Sequence, residues 1–279
     1  MLVLPRHPEL ELAVTINPDN TPARAPKRDP RAPINPDHEI RPDQVRYSSD
    51  GLITRNNCDF VYEERFQRAY ARAVESSHRL DSSIQWRVRV CIWAAQQGAS
   101  LQGDFVECGC YTGTYSSAIA DYLDFGAMTD RKLYLFDTFN GIALDLLSED
   151  EQRKIAAFAS KNERYYKDFY EVTRRNFSHL PNVELIKGRV PESLDQAPID
   201  KVAYLSIDMN SVTPEVEAVR YFWPKLTQGA VVVLDDYGFD GHQFQRLGMD
   251  ALGREIGFEV LGLPTGQGLI LKGGQGPAL

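Results

Sequence analysis

Apolar and polar positions change rhythm along this chain, and the changes mark its elements. In DFVYEERFQRAYARAVESSH, Phe60, Phe66, Tyr70 and Val74 recur at helical intervals, with Asp59 placed to cap the helix. A second helix, SSIQWRVRVCIWAAQQG, is expected to run to Gly98 as its C-cap. From residue 104 the rhythm becomes short, continuous apolar runs: DFVECG (104–109), KLYLFDT (132–138), VELIKG (183–188), VAYLSID (202–208) and AVVVLDD (230–236). Runs that do not alternate suit strands covered on both faces, as in a parallel sheet. Helical stretches separate them, notably SSAIADYL and PEVEAVRYFWPKL, where Pro214 suits a first helical turn. The alternation predicts an α/β fold with a doubly wound, mostly parallel sheet. The closing FEVLGLPTGQGLILK reads as a hairpin that places an antiparallel strand at or near the sheet edge.

Two segments break the rhythm. Residues 15–48 hold a proline cluster and many charges, too little apolar surface to offset ordering, so residues 1–57 are read as a flexible arm or an extended wrapper over a partner subunit. Residues 58–279 then form one catalytic domain. Within it, the charged insertion 142–180, with Tyr165, Tyr166 and Tyr170, is either a lid or a solvated helix whose tyrosines pack on the core.

Composition narrows the function. The 279 residues are 43% apolar and 25% charged, with a formal net charge of −8. An acidic chain lacks the basic footprint that nucleic-acid binding requires. No apolar run approaches the ~20 residues that span a bilayer, and MLVLPRHPELELAV lacks the features of a signal peptide, so the protein is read as cytoplasmic and free of membranes. The proline-rich arm and early helices point to a homo-oligomer, a dimer. Cys58, Cys91, Cys108 and Cys110 show no metal-ligand spacing and are expected to be reduced, mostly buried side chains.

The candidate chemistry begins at FVECGCYTGTYSSAIA, a strand, a glycine turn and a small-residue helix. In an open α/β sheet, ligands sit beyond the carboxyl ends of the strands, so this first turn is the cofactor loop. No lysine follows Gly113, which excludes a phosphate-binding P-loop. Tyr111 stands where a dinucleotide fingerprint needs its middle glycine, and Glu107 at the strand end repels phosphates. Both departures suit a ligand with an amino-acid end and a nucleoside end but no phosphate, such as S-adenosylmethionine. Asp137, ending the next strand, is placed either to accept hydrogen bonds from ribose hydroxyls or merely to cap a turn, and Phe139 to pack on adenine. Cofactor contacts are expected from Glu107, Gly109, Tyr111, Thr112, Gly113, Asp137, Thr138, Phe139, Gly188 and Arg189.

The motifs VECGCYTG, YLFDTFNG, SIDMN, VLDDYG and LPTGQGLILK together resemble the class I S-adenosylmethionine-dependent methyltransferases, and within them the macrocin O-methyltransferase group, over roughly residues 84–272. The resemblance implies a seven-stranded, Rossmann-like sheet with an antiparallel final hairpin, and transfer of a methyl group to a hydroxyl of a sugar, a glycosylated natural product or a phenol. It also implies a Mg²⁺ site at Asp208, Asp235 and Asp236. The chain departs from the group's Asp-x-Asp, reading Asp208-Met-Asn210, so the metal shell is expected to be one charge poorer or absent. Three aspartates at neighbouring strand ends repel one another unless a cation or proton intervenes, and Mg²⁺ accepts such a set. Asp208 and His242 are the candidate bases; the latter follows the DDYGFDGH loop and has a near-neutral intrinsic pKa. A nicotinamide-dependent oxidoreductase and a non-catalytic binding module are the rival readings on this fold.

Overall fold

The computed structural model describes residues 40–77, 82–147, 151 and 168–273, together with the backbone of 14–16 and 22–24. Most of the expected arm and residues 148–150 and 152–167 of the expected lid, including Tyr165 and Tyr166, lie outside the described residues. The chain divides into two units, one of residues 1–48 and 53–57, the other of residues 49–52 and 58–279. In the first, β1 (Val14–Ile16) and β2 (Pro22–Arg24) pair antiparallel. Two further short strands follow, β3 (Tyr47–Ser49) and β4 (Leu52–Thr54).

The second unit is built on a sheet of seven strands. β5 (Asp104–Cys108), β6 (Leu133–Asp137), β7 (Val183–Lys187), β8 (Val202–Ile207) and β9 (Leu226–Leu234) are parallel neighbours, and β10 (Leu261–Gly262) and β11 (Gly268–Leu271) form the closing hairpin. The spatial order is β10-β11-β9-β8-β5-β6-β7. The chain runs outward from β5 to β7, then returns to β8 on β5's other side. Strand order therefore reverses between β5 and β8, which opens a crevice at their carboxyl ends.

Successive residues on each strand feed opposite faces, as the two-residue period demands. Phe105, Leu133, Leu135, Tyr204 and Val233 join one core with Phe66, Val88, Ile92 and Ile119 from helices α1 (Glu64–Ser76), α2 (Gln85–Ala99) and α3 (Thr114–Leu123). Val106, Phe136, Leu205, Ile207 and Val232 join the other with Phe222 and Met249. Those two come from the helices that follow α4 (Tyr170–Phe177), namely α5 (Val212–Phe222) and α6 (Gln243–Ile256). All six residues of β8 are buried, which explains its unbroken apolar reading. Among the described residues, no helix is long and apolar enough to cross a membrane. All four cysteines are free and buried.

Two expectations need correction, whereas the expected antiparallel hairpin at the sheet edge is present. Asp59 opens a short 3₁₀ turn (Asp59–Tyr62), and Glu63 is the N-cap of α1. Gly98 does not end α2; it lies inside the last turn, before the cap at Ser100. Its smallness serves packing, since a Cβ there would stand 2.6 Å from the Ala203 carbonyl oxygen of β8. In the hairpin, the final strand β11 inserts between β10 and β9, antiparallel to both, leaving two-residue β10 at the edge.

Candidate active site

Both halves of the candidate site lie on one cavity of about 340 Å³ at the carboxyl ends of β5, β6, β8 and β9. The glycine turn forms one wall. Gly109 has φ 89°, and a Cβ there would lie 2.0 Å from the backbone oxygen of Asp208, so only glycine lets the β5 turn pass so close to the end of β8. Tyr111 is left-handed at φ 52°, a strained conformation for a bulky residue. Contacts that hold it include its N–H donating to Asp137 Oδ2 at 2.7 Å, its carbonyl accepting from Thr173 Oγ1 at 2.9 Å, and its ring meeting Phe169 edge-on at 4.7 Å.

Asp137 Oδ1 accepts from the Phe139 N–H at 2.7 Å, so each carboxylate oxygen ties a backbone N–H of the surrounding loops. Burial raises its pKa, and those bonds counter the shift. Glu107 is 2% exposed and bonded by the Ser116 hydroxyl; burial pushes its pKa up to about 8. Its carboxyl is thus mainly neutral at pH 7, which removes the charge argument against a phosphate and leaves the bulk of Tyr111 as the obstacle.

Thr138, Phe139, Gly188 and Arg189 line the same cavity, as do Ile142 and Leu146 from the start of the insertion. The structure does not bring all the expected cofactor residues to the cavity wall. Thr112 is fully buried, and Gly113, the left-handed N-cap of α3, packs behind the turn where a Cβ would stand 2.2 Å from Phe177 Cε2.

The aspartates line the adjoining wall. Asp208, Asp235 and Asp236 each present a carboxylate oxygen, all within 4.8 Å of one another. Asp235 is anchored: its Oδ1 accepts from the Tyr115 hydroxyl at 3.0 Å and Gln267 Nε2 at 3.1 Å, and its Oδ2 lies 3.1 Å from Arg87 Nη1. Asp236 differs. Its Oδ2 is buried and no hydrogen-bond donor reaches it, with His242 Nδ1 3.3 Å away. Burial, then repulsion from Asp235, pushes Asp236 up to about 7, and the same causes raise Asp208 well above the carboxylate range. Asn210, left-handed at φ 56°, donates from Nδ2 to Asp208 Oδ1 at 3.2 Å. A second aspartate there would lack that donor. An all-oxygen set of close carboxylates, one with an unmet buried oxygen, fits a small hard divalent cation.

Sequence reasoning missed Arg87, Tyr115, Gln267 and Glu215. Glu215 is buried and accepts from the Met209 and Ser211 N–H groups at 3.3 and 3.4 Å, bracing the loop that carries Asp208. Arg87 sits in QWRVRV, an amphipathic helical stretch whose partners lie far along the chain; no local pattern signals it.

The macrocin-O-methyltransferase (TylF) family profile matches residues 77–246. Demethyldecarbamoylnovobiocin O-methyltransferase of Streptomyces niveus is 28% identical over 147 residues, 50% of this chain and 55% of the relative. Mycinamicin III 3''-O-methyltransferase of Micromonospora griseorubida is 23% identical over 147 residues, 49% of this chain and 56% of that one. The chain thus spans about half the length of these curated relatives. Among solved structures, the O-methyltransferase NovP shares the fold at a TM-score of 0.59 and 24% identity, over 67% of this chain and 80% of its own.

Proposed function

This chain belongs to the macrocin-O-methyltransferase family, and from that premise we propose that it transfers a methyl group from S-adenosylmethionine to a hydroxyl of a small molecule, with Mg²⁺ assisting. The acceptor class is a sugar, a glycosylated natural product or a phenol. What carries the reading is that the glycine turn and the three aspartates line one cavity, with Asp236 Oδ2 lacking a hydrogen-bond donor.

The cofactor's amino group and ribose hydroxyls are donors, and Glu107 and Asp137 are acceptors on the wall that would receive them. Phe139 and Val190 offer apolar surface for the base. When bound, the cofactor supplies an electrophilic methyl and Mg²⁺ supplies a Lewis acid that lowers the acceptor hydroxyl's pKa. Asp208, Asp235 and Asp236 would hold the cation. Asp208 or His242 accepts the hydroxyl proton; Gln245 Nε2, 3.2 Å from His242 Nδ1, orients the imidazole. Positioning is the main contribution, worth on the order of 7–11 kcal/mol when both reactants are held. Residues 58–279 form the catalytic domain in this proposal. Assembly as a homodimer belongs to it too, supported by the proline-rich arm and early helices and read by sedimentation velocity.

Calorimetry with S-adenosylhomocysteine tests the cofactor, and methyl transfer to a panel of demethylated glycosides tests the chemistry. No heat of binding to folded protein would end the proposal. The His242–Asp236 contact favours a second reading, a metal-free Asp/His base. Full activity after exhaustive EDTA treatment would select it.

A further inference from the structure

We propose that Arg87, held by Asp50, is a built-in counter-charge at Asp235 that limits how tightly the aspartate cluster takes a divalent cation. The inference rests on the metal reading of that cluster. Arg87 leaves α2 with its side chain 13% exposed and bridges two acids, with Nε 3.1 Å from Asp50 Oδ2 and Nη1 3.1 Å from Asp235 Oδ2. Its guanidinium also lies over the Phe239 ring, 5.1 Å from the centroid. The guanidinium is thereby flanked on three sides, by one ion-pair contact to each of two carboxylates and by the Phe239 face.

The consequence is electrostatic. Tyr115 and Gln267 take Asp235 Oδ1, and Arg87 takes one side of Oδ2, so the guanidinium stands where a second cation would draw close. Two positive charges a few ångströms apart in a buried site repel strongly. Asn210 acts in the same direction by withholding a negative charge and donating to Asp208. The cluster is thus partly neutralised before any ion arrives. Asp50 modulates this from residues 49–52, outside the matched range 77–246, by sharing the guanidinium's charge.

Mn²⁺ titration of the full chain, followed by the electron paramagnetic resonance of the free ion, reads this without turnover. Arg87→Gln is expected to tighten Mn²⁺ binding at least tenfold. Arg87→Lys, which keeps the charge, should stay within about threefold of the parent protein. Asp50→Asn, which leaves Arg87 wholly to Asp235, should loosen binding several-fold. The opposite signs of Arg87→Gln and Asp50→Asn are the signature, because a merely structural pair would weaken binding in both. Equal or weaker binding by Arg87→Gln overturns the proposal, as does the absence of Mn²⁺ binding in every variant. Should Arg87→Gln fail to fold, Arg87→Met is read in its place: tighter Mn²⁺ binding sustains the proposal, and equal or weaker binding overturns it. Calorimetry with S-adenosylhomocysteine on the same samples separates the readings: retained affinity without Mn²⁺ binding removes this inference and the metal, whereas lost affinity in the parent protein removes the methyltransferase.

Discussion

Asp137 and Asp236 look alike in sequence, each an aspartate closing an apolar strand and facing the same cavity, yet the structure gives them opposite work. Both Asp137 oxygens accept backbone N–H groups at 2.7 Å, one from Tyr111 and one from Phe139. Asp236 Oδ2 is buried with no donor. A buried polar atom without a partner costs roughly 1–3 kcal/mol, so a fold retains one only where something else repays it. On the glycine-turn wall, carboxylate chemistry is spent on shape: the strained Tyr111 and the loop at Phe139 are tied to one side chain. On the aspartate wall one carboxylate oxygen is left without a donor, which is where the proposed cation would be held. The contrast teaches that a strand-end aspartate is assigned by its donors, which sequence does not display.

The sharpest way to break the contrast is Asp208→Asn. If the aspartate wall exists for chemistry, removing this base and candidate ligand costs about 10²–10⁴-fold in methyl transfer, the usual worth of a positioned acid or base. Affinity for S-adenosylhomocysteine should stay within about threefold. Initial rates with labelled cofactor, beside calorimetry, check both. Full rate in the variant would leave the wall without its assigned role.

Asp137→Ala comes next and acts on the other wall. It strands two N–H groups and frees Tyr111 from its left-handed conformation, so the loss is architectural first. At roughly 1–3 kcal/mol for each of the two unmet donors and about 2–4 °C per kcal/mol, the melting temperature should fall by roughly 4–24 °C. Cofactor affinity should drop more than tenfold as the turn relaxes. Asp137→Asn keeps one acceptor and should fall between. Differential scanning calorimetry with and without S-adenosylhomocysteine distinguishes the outcomes: weaker binding at unchanged stability would mean Asp137 serves the ligand alone and does not also brace the turn.

Sequence made the sheet legible because its strands are buried on both faces, and an unbroken run such as VAYLSI in β8 has few other readings. The glycine turn was legible for a similar reason: left-handed backbone and close approach restrict residue choice, as at Gly109. Gly98 shows the limit. Its position suggested a cap, but a contact with Ala203, distant in sequence, sets it. Asp59 misled differently: it opens a 3₁₀ turn, and α1 begins only after Glu63. Arg87, Tyr115 and Gln267 escaped because their common partner, Asp235, is assembled only when α2, α3, β9 and β11's approach meet. Pairings across the sheet leave no periodic trace.

Glu107 supplies the mildest test and crosses the comparison, because it sits on the glycine-turn wall yet is not fully tied. Ser116 bonds it, while burial outweighs that bond and lifts its pKa from 4.5 to about 8. The folded protein therefore binds a proton there that the unfolded chain has already lost across pH 4.5–8. A pKa raised by folding gives stability that is full below the unfolded value and is lost as pH rises through the folded one. The melting temperature should accordingly fall by a few degrees between pH 6 and 9, beyond the decline of Glu107→Gln, which carries no titrating carboxyl. A bound ligand with a cationic amino group favours the ionised carboxylate, so S-adenosylhomocysteine should flatten the parent's slope toward that of the variant. Melting curves that run parallel across the range for parent and variant would show that burial does not hold this carboxyl protonated. Glu107 would then join Asp137 as a group whose charge the turn already satisfies.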